Sequence, residues 1–286
     1  MDARLQPVTR RHARGFTLVE LMVSIVVTSL ALTGVLTFFM NYQRVSRQQE
    51  QLRALQTELR AAIYRMTSNL RRSDYGAPRT LLPTWIDWVG GFDANPKITQ
   101  GAASSDPDTM SIAACTAKPV ATVAATLSMG PGNNTVTLTS AVPGKTIEQL
   151  LDISLNRDLI RFVAGTNTDS GFARVAAVTG DSVTIDTDPG TSGNQGFSTR
   201  DYFAGTPVCR VDVTTYAIDT ATGTLTIDDH DGGGARPAFV GMTDLQVSGG
   251  GNVFNLEVAG ETEQADPVTG NPIPRRHAAR ITVRNQ

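Results

Sequence analysis

Few side chains in this 286-residue chain could do chemistry. The only cysteines are Cys115 and Cys209, with no CxxC pattern and no histidines at metal-ligand spacing. In a reducing compartment such a pair means little; in an oxidising one it is a natural disulfide, closing a loop of about 95 residues. His12 stands in a basic leader, His230 in an acidic turn and His277 beside two arginines. None has the company a general base requires. Pro143-Gly144-Lys145-Thr146 ends like a phosphate-binding loop, but Thr139 occupies the place of the first glycine, so the segment reads as a turn. Asp228-Asp229-His230-Asp231-Gly232-Gly233 gathers oxygen ligands of the kind Ca²⁺ takes, yet an EF-hand's bidentate acid would fall on Phe239. A solvated turn is the plainer reading. Arg275, Arg276, His277, Arg280 and Arg284 form a basic patch that could touch phosphate, though pairing with nearby acids is favoured. The sequence therefore points away from an enzyme and implies no cofactor and no metal. One further group stands out: Glu20, alone in an apolar run.

That run, Phe16 to Met40, reads FTLVELMVSIVVTSLALTGVLTFFM and is long enough as a helix to cross a ~30 Å hydrocarbon core. Arg4, Arg10, Arg11 and Arg14 precede it and hold the leader in the cytoplasm by the positive-inside rule, which sends everything after Met40 outward. Cys115 and Cys209 then lie in oxidising territory. A secretory signal would have a shorter apolar stretch with a small-residue cleavage site behind it, and none follows Met40. A carboxylate one turn into such a span is expensive in lipid and needs a reason. Beyond Met40 the chain turns polar, and Leu52, Leu55, Leu59, Ala62, Met66 and Leu70 recur at three and four residues, one apolar stripe on a helix. Gly76 and Pro78 stop it. One helix from about Phe16 to Asp74 follows, roughly 90 Å long. The stripe lasts under three heptads, with Ile63 beside it, so it suits packing on the protein's own head better than a coiled coil.

After Gly76 short β-prone runs alternate with turns: Thr135 to Thr139, Leu159 to Val163, Ala173 to Thr179, Ser182 to Ile185, Val208 to Ile218, Thr224 to Ile227, Val253 to Val258 and Ala278 to Val283. Asp219-Thr220-Ala221-Thr222-Gly223 joins two of them as a hairpin. The fold class is α+β, a long N-terminal helix packed on an antiparallel sheet, with a second small β subdomain expected near residues 130 to 190. From residue 76 onward 14 basic residues face 22 acidic ones, so this part should repel polyanions and nucleic acid is disfavoured as a partner.

The segment RGFTLVELMVSI resembles the class III signal of type IV prepilins and type II secretion pseudopilins: a basic leader, Gly, Phe, then an apolar helix with Glu fifth in the mature chain. The resemblance implies that a membrane-embedded prepilin peptidase cuts after Gly15 and that the new N-terminus, Phe16, is methylated. It further implies that Glu20 neutralises a neighbouring subunit's terminal amine within a filament, where an unpaired charge is costly. Thr37 stands where many major pilins carry a proline in the apolar half. MTSNLRRSDYGAP, TTYAIDTATGTLTIDD with AFVGMTDLQV, and the closing RRHAARITVRNQ resemble the PilW family of minor pilins. The implied organisation is a cleaved leader at 1–15, a transmembrane helix half at 16–40, an amphipathic half at 41–75 and a periplasmic β-rich head at 76–286. The implied role is a structural subunit in the inner membrane and later at or near the pilus tip, where it helps start assembly. Its partners would be other minor pilins, the major pilin, the peptidase, the inner-membrane assembly platform and a tip adhesin. A type II secretion minor pseudopilin and a DNA-uptake or adhesion pilin are the alternatives.

Overall fold

The computed structural model describes residues 17–73, 96–116, 118–129, 133–151, 159–163, 171–186, 200–250, 253–266 and 269–283. Helix α1 (Leu18–Arg72) runs for 55 residues, and the chain forms two compact units, residues 1–50 and 51–286.

In the first unit the apolar residues of α1 point in every direction and none is buried. Leu30 is 69% exposed and Phe38 73%. The hydroxyls here do not break the helix. Ser24, Ser29, Thr33 and Thr37 donate to the carbonyls of Glu20, Val26, Ser29 and Thr33 at 2.7 to 2.9 Å, so they offer no open polar group to apolar surroundings. Thr37 also lets the helix continue where a proline would have removed a backbone donor.

In the second unit α1 sinks one face into a core. Leu55, Leu59, Ala62, Ile63, Met66 and Leu70 are the buried residues, the expected stripe with Ile63 beside it and without Leu52. They pack on two antiparallel sheets. One contains β1 (Lys97–Thr99), β2 (Thr109–Cys115), β10 (Pro207–Asp219), β11 (Thr224–Asp228) and β12 (Arg236–Val240); the other is β13 (Met242–Gly250), β14 (Val253–Glu261) and β15 (Pro274–Thr282). Buried Asp108 ties the sheets together: its N–H donates to Leu245 O at 2.7 Å and its carboxylate accepts from Val247 N at 2.8 Å and Gly101 N at 3.0 Å. Gly260 matters for the approach of the helix, because a Cβ there would strike the Gly241 carbonyl oxygen and press on Leu55. The expected hairpin is present. Asp219 pairs with Thr224, its carboxylate accepts from Ala221 N and the Thr222 hydroxyl, and Gly223 closes the turn at φ 60.

A second core lies around the other end of β10. Strands β3 (Ala121–Val123), β5 (Asn133–Ser140), β8 (Ser182–Asp186), β7 (Gly171–Thr179) and β6 (Leu159–Phe162) pair in that order, and β3 and β6 both pair with β10. Val208 has Ala121 on one side and Phe162 on the other, so the six strands close into an antiparallel ring. Val136, Leu138, Ile160, Phe162, Val183 and Ile185 are among the residues that fill this core. The region expected as a subdomain thus has its own core but shares strand β10 with the helix-packed half. A short ribbon of β4 (Leu127–Met129) and β9 (Arg200–Tyr202) adjoins it in sequence. All eight expected β-runs fall on strands, and the α+β architecture is the one observed. Residues 74–95 lie outside the described part, so the stop expected at Gly76 and Pro78 is not described.

Candidate functional site

Glu20 lies in the first turn of α1, exposed, in the first unit. Thr17 precedes the helix and its hydroxyl oxygen accepts the Glu20 N–H at 3.2 Å, the role of a capping residue. The helix therefore begins just before the carboxylate and presents it on an otherwise apolar surface. An acid in the first turn is also favoured by the helix dipole. Gly15, Phe16 and the leader lie outside the described residues. By length and composition α1 is apolar enough to cross a membrane, and its most apolar window is wholly unburied.

In the second unit Cys115 ends β2 and Cys209 lies near the start of β10, and the structure joins them with Cα atoms 5.6 Å apart. The register of β2 on β10 pairs Cys115 with Val211, which sets Cys209 one diagonal step away. The link sits where β10 passes from one core to the other.

The remaining sequence candidates resolve into structural roles. In Pro143-Gly144-Lys145-Thr146, Gly144 adopts φ 74 and Thr146 caps the short helix α2 (Ile147–Leu150), with its hydroxyl oxygen accepting from Gln149 N and the side-chain Oε1 of Gln149 accepting from Thr146 N. The turn after β11 spends its acids internally: Asp228 accepts from His230 N at 2.8 Å, Asp229 from the Thr214 hydroxyl at 3.0 Å, and Asp231 from Gly233 N and Arg236. Among the described residues no three His, Cys, Asp or Glu groups are placed to hold a metal. Of the basic patch, Arg276 pairs with Glu257 at 3.0 Å, His277 and Arg280 lie on β15, and Arg284 is outside the described residues.

Four titratable groups feel their surroundings, among them Asp219 in the hairpin turn, held low by the Thr222 hydroxyl and the Ala221 N–H. Burial pushes the His230 imidazole down, opposed by the Asp228 and Asp229 carboxylates, and its ring accepts or donates at 2.8 Å to Thr215. His230 also adopts φ 51, a left-handed conformation that is uncommon outside glycine. Burial raises the Tyr216 phenol, opposed by the adjacent Arg65, while Asn69 donates to its oxygen at 2.7 Å. Arg161 on β6 is fully buried, and burial lowers it to about 10, with Tyr202 acting the other way. The sequence marked His230 only as part of an acidic turn and did not mark Tyr216 or Arg161. Tyr216 sits in a strand pattern like any core residue, and Arg161 is one basic residue in a β-run.

No curated protein and no solved structure matches the chain. Its N-terminal segment does match a described family. Residues 10–36, from the basic N-terminal stretch through the Glu20 turn and into the apolar helix, match the prokaryotic N-terminal methylation motif.

Proposed function

We propose that this chain is a minor type IV pilin, resembling the PilW family, that helps initiate pilus assembly and resides at or near the pilus tip. The observation that carries the reading is the methylation motif at 10–36 running directly into an apolar helix whose next part packs on a β-rich head. In this reading residues 1–15 are a cytoplasmic leader removed after Gly15, Phe16 is the methylated N-terminus, 16–40 spans the inner membrane, 41–75 is the amphipathic half and 76–286 the periplasmic head. The chain acts as a structural subunit and not as an enzyme. Glu20 is tolerable in lipid only with a cation, and the terminal amine of an adjoining subunit is the natural one.

Intact mass and N-terminal sequence of the protein from membranes test this reading. A chain beginning at methylated Phe16 is expected; a chain that retains Met1 or starts elsewhere would overturn it. Glu20→Ala separates processing from assembly. The variant should be cleaved and inserted normally yet co-purify poorly with other minor pilins, and assembly at the unaltered level would reject the charge pairing. Since pseudopilins carry the same kind of signal, a deletion strain is scored for surface pili and for secretion together. Loss of pili with intact secretion is the expected result.

A further inference from the structure

We infer that a groove in the second unit, between α1 and the turns of the strands packed on it, receives the arginine-bearing outer face of α1 from a second copy of this chain. The inference rests on the assembly reading above. The groove holds about 630 Å³. It stays open because two of the positions that line it have no side chain: Gly223 closes the hairpin at φ 60, and Gly241 joins β12 to β13 at φ 72. Its floor is apolar, made of Ala54 and Leu55 of α1 with Val240 and Pro272, and Val240 is 61% exposed.

Charge selects what covers that floor. Glu58, Glu261 and Glu263 line the groove and no Lys, Arg or His does. Among the described residues none of the three has an ion-pair partner. Three and four residues from Glu58 along the helix stand Ala54, Leu55, Ala61 and Ala62, so α1 offers it no cation of its own. An occupant with apolar stems and positive heads answers both the floor and the rim, and arginine is such a side chain.

The same molecule presents that occupant on another face. From 51 to 72, α1 carries five arginines against Glu58 alone. Arg65 and Arg72 are engaged, at the Tyr216 hydroxyl and the Cys115 carbonyl. Arg53, Arg60 and Arg71 are exposed and have no ion pair among the described residues, and Tyr64, 77% exposed, stands in line with them. At about 100° per residue the four fall within about 40° of one another, a ridge roughly 27 Å long. Arginine and tyrosine are the side chains that most often anchor interfaces. The helix residues of the groove, Gln51 to Glu58, centre about 150° around α1 from the ridge, so the ridge cannot fill the groove of its own chain. Two different faces meeting between copies make a heterologous contact, which repeats from copy to copy and does not stop at a pair.

The test uses the full-length protein in membranes, co-expressed with two different affinity tags. Unaltered copies should co-purify. A groove variant, Glu261→Arg with Glu263→Arg, and a ridge variant, Arg53→Glu with Arg60→Glu and Arg71→Glu, should each cut self-capture about tenfold at an unchanged melting temperature. Co-expressing the groove variant with the ridge variant should restore capture to within about twofold, because each reversed charge then meets its opposite. Glu148→Arg, an exposed acid on α2 outside the groove, is the control. Should the groove reversal lower the melting temperature, Glu261→Gln with Glu263→Gln takes its place, with a loss of about threefold expected. Unaltered copies that do not co-purify, variants that keep full capture, an equal loss with Glu148→Arg, or a mixed pair that stays apart would overturn the contact. So would a groove variant that keeps its second copy and loses a different subunit. The same cells are scored for a Phe16 N-terminus and for surface pili, so a processed chain in assembled pili without self-capture sinks this inference while sparing the assembly reading.

Discussion

The two stretches of α1, residues 18–50 and 51–72, differ in make-up, the first rich in Val, Leu and Phe and the second in Arg, Ala and Leu, and they meet opposite fates. The first has apolar side chains on all sides and buries none; the second confines them to one face and buries six. Helix-forming tendency does not separate them, since both are helical. What differs is the apolar content and its angular distribution. An all-round apolar surface is at ease only where its surroundings are apolar all round, as in lipid, while a stripe needs a partner on one side and water on the other. The comparison also sorts the polar residues. In the first stretch hydroxyls bond back to the helix, and in the second arginines and Tyr64, 77% exposed, occupy the outer face.

Four measurements press on this contrast. The largest expected effect is on the first stretch. Gly15→Val should leave a full-length precursor in the membrane and remove the chain from filaments, because the peptidase site must admit a small residue beside a helix that stays in the bilayer; immunoblotting for the precursor checks it, and an unaltered mature N-terminus would contradict the class of signal. Next comes the second unit. Replacing Cys115 and Cys209 together by Ala should cost about 4 kcal/mol of head stability in the chain-entropy picture, read as the loss of a reductant-sensitive shift in chemical denaturation. Two titratable thiols in periplasmic protein would remove the premise. Third, Met66→Ala should destabilise the head by about 3 kcal/mol through the cavity it leaves, whereas Leu30→Ala, the same kind of truncation on the exposed stretch, should leave the head's melting unchanged. Equal shifts would erase the distinction between the two stretches.

The smallest effect is one of pH. The folded state holds His230 below its ordinary value of about 6.5, so unfolding takes up a proton. Stability is full above that value and declines as pH falls through it toward the lowered folded value. Asn tolerates the left-handed backbone, so His230→Asn should keep the fold and flatten this part of the curve. A melting profile between pH 7.5 and 5 that is the same in both proteins would reject the assignment.

Much of this architecture can be read in the residues, and the exceptions have causes. The helix and its buried face follow from spacing, and the eight expected β-runs were visible because they alternate or end in turns. Strand β2, TMSIAAC, escaped because six of its seven residues are buried, which leaves no period of two. β12 contains Pro237 and is almost wholly exposed, and β13 carries Asp244 and ends in Gly249-Gly250, so neither resembles a half-buried strand. The cysteine pairing needed no choice, since two cysteines allow one. A groove of about 280 Å³ among α1, β2, β10 and the turn after β11 was hidden because its residues come from four separate segments, at 65–72, 112–114, 210–214 and 229–231. The packing of α1 on β2 and β10 brings them together, and pairing over such distances along the chain leaves no local trace.

Closure of the ring carries a consequence for recognition. Each of its six strands has a hydrogen-bonded neighbour on both flanks over part of its length, so among the described residues no strand of the ring is an edge from end to end. Recognition of this half falls mainly to side chains and loops, which diverge freely without disturbing the core beneath. Among the described strands, those with a whole flank open are the ones that end the other sheets. One of these, β12, is interrupted by proline, and another, β15, is studded with arginine.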